Sequence, residues 1–359
     1  MVKLYGTTYS RDQLLRYVGD ISQVGGIRLG ELTDGAERGV RIADFRTGAG
    51  LAFTVLVDRA MDIAWSSFHG ASLDWRSPTT CVAPAYFEPE GLGWLRGFYG
   101  GLLLTCGLTY FGKPTVDQGE PLGLHGRVSF LPATRVTVGE EWIGDEYEMW
   151  ISGNVRETAV HGENLLLKRR ILARLGESRL FVDDTVTNEG YRTTPHMLLY
   201  HINLGFPVVA PDSELLLSSL EVRPRTEVAA KGLGNETRLQ APTPNYEEQV
   251  FYHRLRPDSE GNVAVALVNR AFNGGQGLGV YLRYRLEELP WFIEWKMMGE
   301  GTYVFGVGPA TNLADGRNIE RAEGRLRTLA PGESCHYGLE IGVLGSVAEI
   351  NAFATFLPT

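Results

Sequence analysis

Residues 164–187 read NLLLKRRILARLGESRLFVDDTVT. The stretch divides at Gly176-Glu177-Ser178 into two runs, 164–174 and 179–187, each rich in Leu, Ile, Val, Phe or Thr. Apolar runs of this length flanking a Gly-containing turn read as a β-hairpin.

The same kind of run recurs along the chain. Segments 39–46, 51–57, 127–137, 147–157, 197–204, 214–221, 262–269, 278–285, 290–298, 302–307 and 336–343 are short, β-branched or aromatic, and bounded by Gly, Asn, Asp or Pro. Helical periodicity is confined to the ends. Ser10 with Gln13 makes a capping box for a helix over 10–18, stopped at Gly19, and a terminal helix is expected from Ser346 to Phe356. More than a dozen strands without alternating helices must stack face to face or close. The expected fold is therefore all-β: one large antiparallel β-sandwich domain over 1–359. Its parts are a lead-in with a short N-terminal helix (1–38), the sandwich (39–345) and a C-terminal helix (346–359). No repeat of 20–50 residues suggests a propeller or solenoid. Segment 85–101 (AYFEPEGLGWLRGFYGG) has neither period and reads as a long rim loop.

Composition narrows the function. The 359 residues carry 34 Lys+Arg against 43 Asp+Glu, a formal net charge of −9. That acidity argues against nucleic acid as a partner. No run approaches the ~18 apolar residues of a membrane span. The start, MVKLYG, lacks the apolar core of a secretory leader. Cys81, Cys106 and Cys335 are odd in number and have no metal-ligand spacing, so a cytoplasmic, reducing setting is expected. No phosphate-binding loop, dinucleotide fingerprint or Gly-x-Ser-x-Gly elbow appears, so no cofactor is expected.

Three segments carry candidate chemistry. In the strand around Tyr200-His201-Ile202-Asn203, alternation sets His201 and Asn203 on one face and Tyr200, Ile202 and Leu204 on the other. A polar pair on such a strand is either internally bonded or faces a cleft. Leu124-His125-Gly126-Arg127 places a His at a loop junction where flanking glycines allow close approach. In Trp291-Phe292-Ile293-Glu294-Trp295-Lys296-Met297, the charged Glu294 and Lys296 share one face and the aromatics the other. That pair reads either as an ion pair at a sheet edge or as groups facing a sugar. Asp58-Arg59-Ala60-Met61-Asp62 reads either as a site or as a turn with an internal salt bridge, and Arg96, in the rim loop, as a group to hold a carboxylate or hydroxyl. Cys106 reads as a small buried residue.

In order and spacing these segments resemble the aldose 1-epimerase (galactose mutarotase-like) superfamily. The motifs are Asp58 to Ile63, Gly100 to Leu108, Leu124 to Arg127, Tyr200 to Pro207, Trp295-Lys296-Met297 and Tyr303 to Asn312. The likeness spans roughly residues 5–345 and points to a branch with the patterns YHINxGxP and WKM. It implies an antiparallel supersandwich with a sugar cleft across one sheet. It implies that His125 binds substrate and that His201 is nearest to the acid that protonates the ring oxygen. In mutarotases that His stands four positions before the Asn, where this chain has Leu199. The carboxylate base of the superfamily is replaced here by Gly308, before Pro309.

The resulting expectation is a sugar mutarotase or epimerase acting by general acid–base ring opening on an aldose or an acidic derivative. His201 is the acid and Glu294, from the neighbouring strand of a 290–298/302–308 hairpin, the replacement base. His125, Arg96, Asn203, Lys296, Arg59 and Arg127 are expected to hold substrate. The alternatives are a sugar-binding or sensing protein that has lost its base, and a metal-assisted sugar isomerase or lyase using His125, His196 and His201.

Overall fold

The computed structural model describes residues 1–358. The hairpin expected over 164–187 forms. Strand Asn164–Arg174 pairs antiparallel with Arg179–Asn188, with Ile171 opposite Val182 and Arg169 opposite Asp184. Along it, alternate residues Leu165, Leu167, Arg169, Ile171 and Ala173 are buried, as period-2 patterning requires. The two strands lie inside an eight-stranded sheet. Its order runs through Thr134–Ile143, Glu146–Thr158, the hairpin, Ser334–Leu344, Leu278–Arg285, Asn262–Asn269 and Glu214–Leu216.

A six-stranded sheet faces it. The order is Ser219–Pro224, Gln249–Leu255, Trp291–Met298, Tyr303–Ala310, Leu199–Leu204 and Leu104–Cys106. Tyr200, Ile202, Leu204, Phe292 and Phe305 of this sheet share one core with Leu167, Ile171, Val182 and Leu282 of the larger one. The opposite face is also covered. There Leu104, Leu199, Val250, Tyr252 and Ile293 cluster with Trp94, Phe98 and Phe130. A five-stranded sheet, built from Gly26–Glu31, Arg41–Arg46, Leu51–Leu56, Asp62–Phe68 and Ala71–Ser72, completes the frame. The fold is the antiparallel β-sandwich expected from the strand runs.

Local differences have local causes. The first helix spans only Arg11–Leu14, although Ser10 and Gln13 do form the capping box. Segment 127–137 divides into a 3₁₀ turn at Val128–Phe130 and the start of strand Thr134–Ile143, and 214–221 divides into two strands. The hairpin of Trp291–Met298 with Tyr303–Ala310 forms, but Glu294 is opposite Val307 and it is Ile293 that faces Gly308. The C-terminal helix runs Val347–Phe356, capped by Ser346.

A buried ion network joins the two large sheets. Arg169 donates to Asp184 (2.7 Å), Asp62 (2.8 Å) and Thr105 Oγ1 (2.9 Å), and the Tyr200 hydroxyl donates to Asp184 (2.6 Å). Arg169 and both acids are buried, so their attraction is hardly screened and each charge has a partner. Tyr200 is paired across the sheet with Thr105. Both are thus held from behind, and the residue between Tyr200 and Ile202 is turned to the other face.

Candidate active site

That residue is His201. Its ring stands over the second apolar cluster, 5.5 Å from the Phe98 ring and 5.5 Å from Trp295. His125 meets it edge-on, with ring centroids 5.8 Å apart and planes at 89°. The turn carrying His125 is special. His125 has φ +56° and Gly126 +73°, and a Cβ on Gly126 would stand 2.6 Å from the Gly107 carbonyl oxygen. Only glycine fits there. The His125 backbone N–H donates to the Gly112 carbonyl at 2.9 Å, and the ring lies 4.8 Å from that of Trp94.

The two imidazoles line a cleft of about 380 Å³, within the range of about 300–1,000 Å³ usual for small-molecule sites. Its walls are aromatic and aliphatic: Trp94, Phe98, Leu199, Ile293 and Trp295. Burial pulls His201 down to about 4 and His125 well below its ordinary value, the latter also through its neighbour His201. Both rings are therefore neutral at pH 7, each with one N–H donor and one lone pair. The buried Nδ1 of His125 has no hydrogen-bond partner.

Charged groups also line the cleft. Glu248 precedes strand Gln249–Leu255, and its carboxylate accepts from Trp295 Nε1 at 2.8 Å. Gln249 is opposite Lys296, which sets Glu248 towards the Met297 end of the strands. Lys113 and Arg225 line the cleft as well, and the Arg225 backbone N–H donates to the Val250 carbonyl at 2.9 Å, two residues from Glu248 on the adjoining strand. The Arg225 guanidinium donates to the Ala314 carbonyl at 3.2 Å and to Asp315 at 3.3 Å, and the Lys113 N–H donates to the same Ala314 carbonyl. Ala314 lies beyond the Ala310 end of its strand. His201 lies three strands along the sheet from Gln249–Leu255, where Leu199 pairs with Ala310 and Ile202 with Val307.

Of the residues expected from sequence, the structure brings His201 and His125 together and disperses the rest. Glu294 is fully buried on the core face of its strand, with His253 Nε2 at 3.0 Å from one oxygen and no partner for the other. The cleft takes Ile293 and Trp295, the opposite face of that strand. Burial pushes the Glu294 carboxyl up. Lys296 shares the core face, and its ammonium donates to the carbonyls of Asn235 (2.8 Å) and Arg238 (2.5 Å). Arg59 is buried behind the rim loop, donating to the carbonyls of Ser129, Val82 and Gly97. Arg96 is exposed and pairs with Glu88 at 3.2 Å. Arg127 lines a neighbouring hollow beside Glu157. Asn203 shares His201's face, but lies under the Gly100-Gly101 turn and donates to both carbonyls at 3.2 Å.

The three-histidine metal reading finds no support in this arrangement. His196 is bonded through both ring nitrogens, to the Leu108 carbonyl (2.9 Å) and the Tyr337 hydroxyl (2.7 Å). Among the described residues no group of three or more His, Cys, Asp or Glu side chains is placed to hold a metal ion. The groups missed from sequence are Glu248, Lys113 and Arg225. All three lie outside the strand interiors from which candidates were drawn. The one available signal was the acidic doublet Glu247-Glu248 directly before the alternating run of Gln249–Leu255.

A family model described as "Domain of unknown function (DUF4432)" matches residues 37–343. The chain belongs to the DUF4432 family. No curated protein matches this DUF4432 chain in sequence. Among solved structures it is similar to a Klebsiella pneumoniae protein provisionally assigned as an aldose 1-epimerase. The identity is 26%, the TM-score is 0.87, and the match covers 93% of this chain and 89% of that one. It also resembles a galactose mutarotase-like protein from Clostridium acetobutylicum (12% identity, TM-score 0.61, 90% and 99% covered). A third similar structure is galactose 1-epimerase from Lactobacillus acidophilus (12%, TM-score 0.55, 90% and 99%). The DUF4432 protein therefore has the galactose mutarotase-like fold that its motifs implied. Among its described residues no helix is long and apolar enough to cross a membrane.

Proposed function

We propose that the cleft takes one aldopyranose and interconverts its anomers by general acid–base ring opening. The observation that carries this reading is the His201–His125 pair, neutral and perpendicular, set between aromatic walls with a carboxylate at one end. Ring opening needs a donor at the ring oxygen and an acceptor for the anomeric hydroxyl proton. In this reading His201 donates to the ring oxygen and Glu248 accepts the hydroxyl proton. Trp94, Phe98 and Trp295 offer faces for the sugar ring. His125 Nδ1, unpartnered in the free cleft, gains a hydroxyl partner on binding. The free His201 is neutral, so it donates through the ring N–H that a neutral imidazole keeps. General acid or base assistance of this kind supplies about 10²–10⁴-fold. Three free, buried cysteines suit a reducing compartment.

A second reading has its own observation. Leu199 and Gly308, at the two positions where the resemblance sets acid and base, are both apolar and both line the cleft floor. That favours a sugar-binding protein without turnover.

Polarimetry on freshly dissolved α-D-galactose and α-D-glucose separates the two. Turnover is supported if wild type speeds the decay of rotation and His201→Ala and Glu248→Gln each lose about 10²-fold or more while calorimetry still finds sugar bound. Binding without acceleration selects the second reading. A full-rate His201→Ala protein removes His201 from the mechanism.

A further inference from the structure

We infer that the substrate is a reducing disaccharide or a longer saccharide, whose reducing unit lies in the cleft and whose next, neutral unit lies in the hollow on the other side of the His125 turn. The inference rests on the proposed sugar cleft and adds its substrate class. The hollow holds about 860 Å³, more than the cleft itself, and none of the groups assigned to ring opening lines it. The same three chain segments build both: 87–95, 112–116 and 121–127. The Leu124 N–H donates to the Gly91 carbonyl and the His125 backbone N–H to the Gly112 carbonyl, each at 2.9 Å. The segments are thereby tied into one wall with a concave surface on each side. Pro114 belongs to both surfaces. A proline has no N–H, so a glycosidic link passing over it covers no backbone donor. With the anomeric hydroxyl at Glu248, the second unit is carried on another oxygen of the same ring.

The hollow has the chemistry of a saccharide site. Phe87, stacked on Phe130 at a centroid distance of 4.3 Å, offers an apolar face. Around it stand Arg127, Glu90 and Glu163, whose side chains make no hydrogen bond or ion pair among the described residues. A free guanidinium beside free carboxylates suits neighbouring sugar hydroxyls, which donate and accept at once. The other two acids are spent: Glu120 pairs with Arg317, and the buried Glu157 accepts from the Leu108 N–H at 2.6 Å and from the Thr109 hydroxyl. Carboxylates outnumber the one guanidinium, so a unit with its own negative charge is repelled and a neutral one is accepted. Among the described residues no three such side chains are placed to hold a metal ion, so a bound cation does not account for the acids.

Calorimetric titration of the whole protein with D-glucose, maltose, cellobiose, lactose and melibiose tests this, since all four disaccharides end in reducing D-glucose. At least one of them is expected to bind about tenfold more tightly than D-glucose, at one site per chain. Arg127 is exposed and Glu163 half-buried, so Arg127→Gln and Glu163→Gln should fold. Each should cut the preference for the disaccharide about fivefold. Lys168→Gln, on the solvent face of the larger sheet, should leave the preference alone. Disaccharides no tighter than D-glucose overturn the inference while leaving the sugar cleft standing. A preference that neither variant reduces overturns the hollow as its source. Binding of none of the five, with no change in the rate of mutarotation, overturns both the inference and the cleft reading.

Discussion

Leu199 stands where a side chain on Gly308 would have to begin: a Cβ built on Gly308 lies 2.7 Å from Leu199 Cδ1 and 3.2 Å from the Ile293 carbonyl oxygen. The two positions at which the superfamily resemblance sets its acid and its base are therefore neighbours, and an aliphatic side chain has closed the space between them. The missing carboxylate is no simple truncation that one substitution can reverse. Gly308→Glu should destabilise the protein by about 1–3 kcal/mol in urea titrations, because Leu199 must leave its rotamer. Leu199→Ala in the same chain should recover part of that loss, with a coupling of about 1 kcal/mol in a double-mutant cycle. Additive effects would mean that the two side chains do not compete.

Glu294 tests the same logic from the other face of the sheet. Its carboxylate is sealed in the core against His253, so it has no path to a sugar in the cleft. Glu294→Gln should leave any mutarotation rate within about twofold of wild type. Its effect should appear in stability, since the amide keeps the volume and removes a buried carboxyl whose proton affinity is already raised. A fall in rate of about 10²-fold, without unfolding, would return Glu294 to the mechanism.

Glu294 shows why strand alternation alone does not place a side chain in the cleft. Period-2 alternation correctly grouped Glu294 with Lys296 and Ile293 with Trp295, but both faces of this strand carry bulky apolar residues, the Glu294 face being buried and the Trp291, Trp295 and Met297 face half-buried. Periodicity then sorts residues into two sets without saying which set meets the ligand. The face taken by His201 was legible because Tyr200, Ile202 and Leu204 gave its strand an unmistakable core face. The hairpin 164–187 was legible for the same reason, even with Arg169 on its inner side. Glu248, Lys113 and Arg225 were not, because they reach the cleft from strand ends and turns. Their approach depends on which strands neighbour one another, and the sheet order 249–255, 291–298, 303–310, 199–204 is not local in sequence.

Arg59 illustrates a buried charge that serves the site without touching it. Its guanidinium donates to the carbonyls of Ser129, Val82 and Gly97 and lies 4.0 Å over the Phe130 ring. These bonds tie both ends of the rim segment that carries Trp94 and Phe98. Arg59→Met should leave three carbonyls short of a donor, each costing about 1–3 kcal/mol. Global stability should fall by about 3 kcal/mol or more, and limited proteolysis should cut first between residues 82 and 98. Cleavage elsewhere, with the rim intact, would remove Arg59 as its anchor.

The buried histidines set the acid limit of the fold. Burial draws His196 and His201 down to about 4 from an ordinary value of 6.5, and His125 falls as well. Between those values the unfolded chain binds protons that the native protein refuses. Stability is therefore full above about pH 6.5 and is lost as pH falls towards 4, by up to about 1.4 kcal/mol per pH unit for each such group. Buried carboxyls with raised values, such as Asp62 and Glu157, act in the opposite sense, so the net slope alone does not identify the histidines. His196 isolates the effect, because it lies outside the cleft and both of its nitrogens are bonded to protein groups. Urea titrations of wild type and His196→Gln at pH 7, 6 and 5 should give slopes of stability against pH that differ by about 1 kcal/mol per unit, the variant being the flatter. Parallel slopes would show that His196 takes up its proton as readily folded as unfolded, and that its bonds to Leu108 and Tyr337 do not hold it neutral.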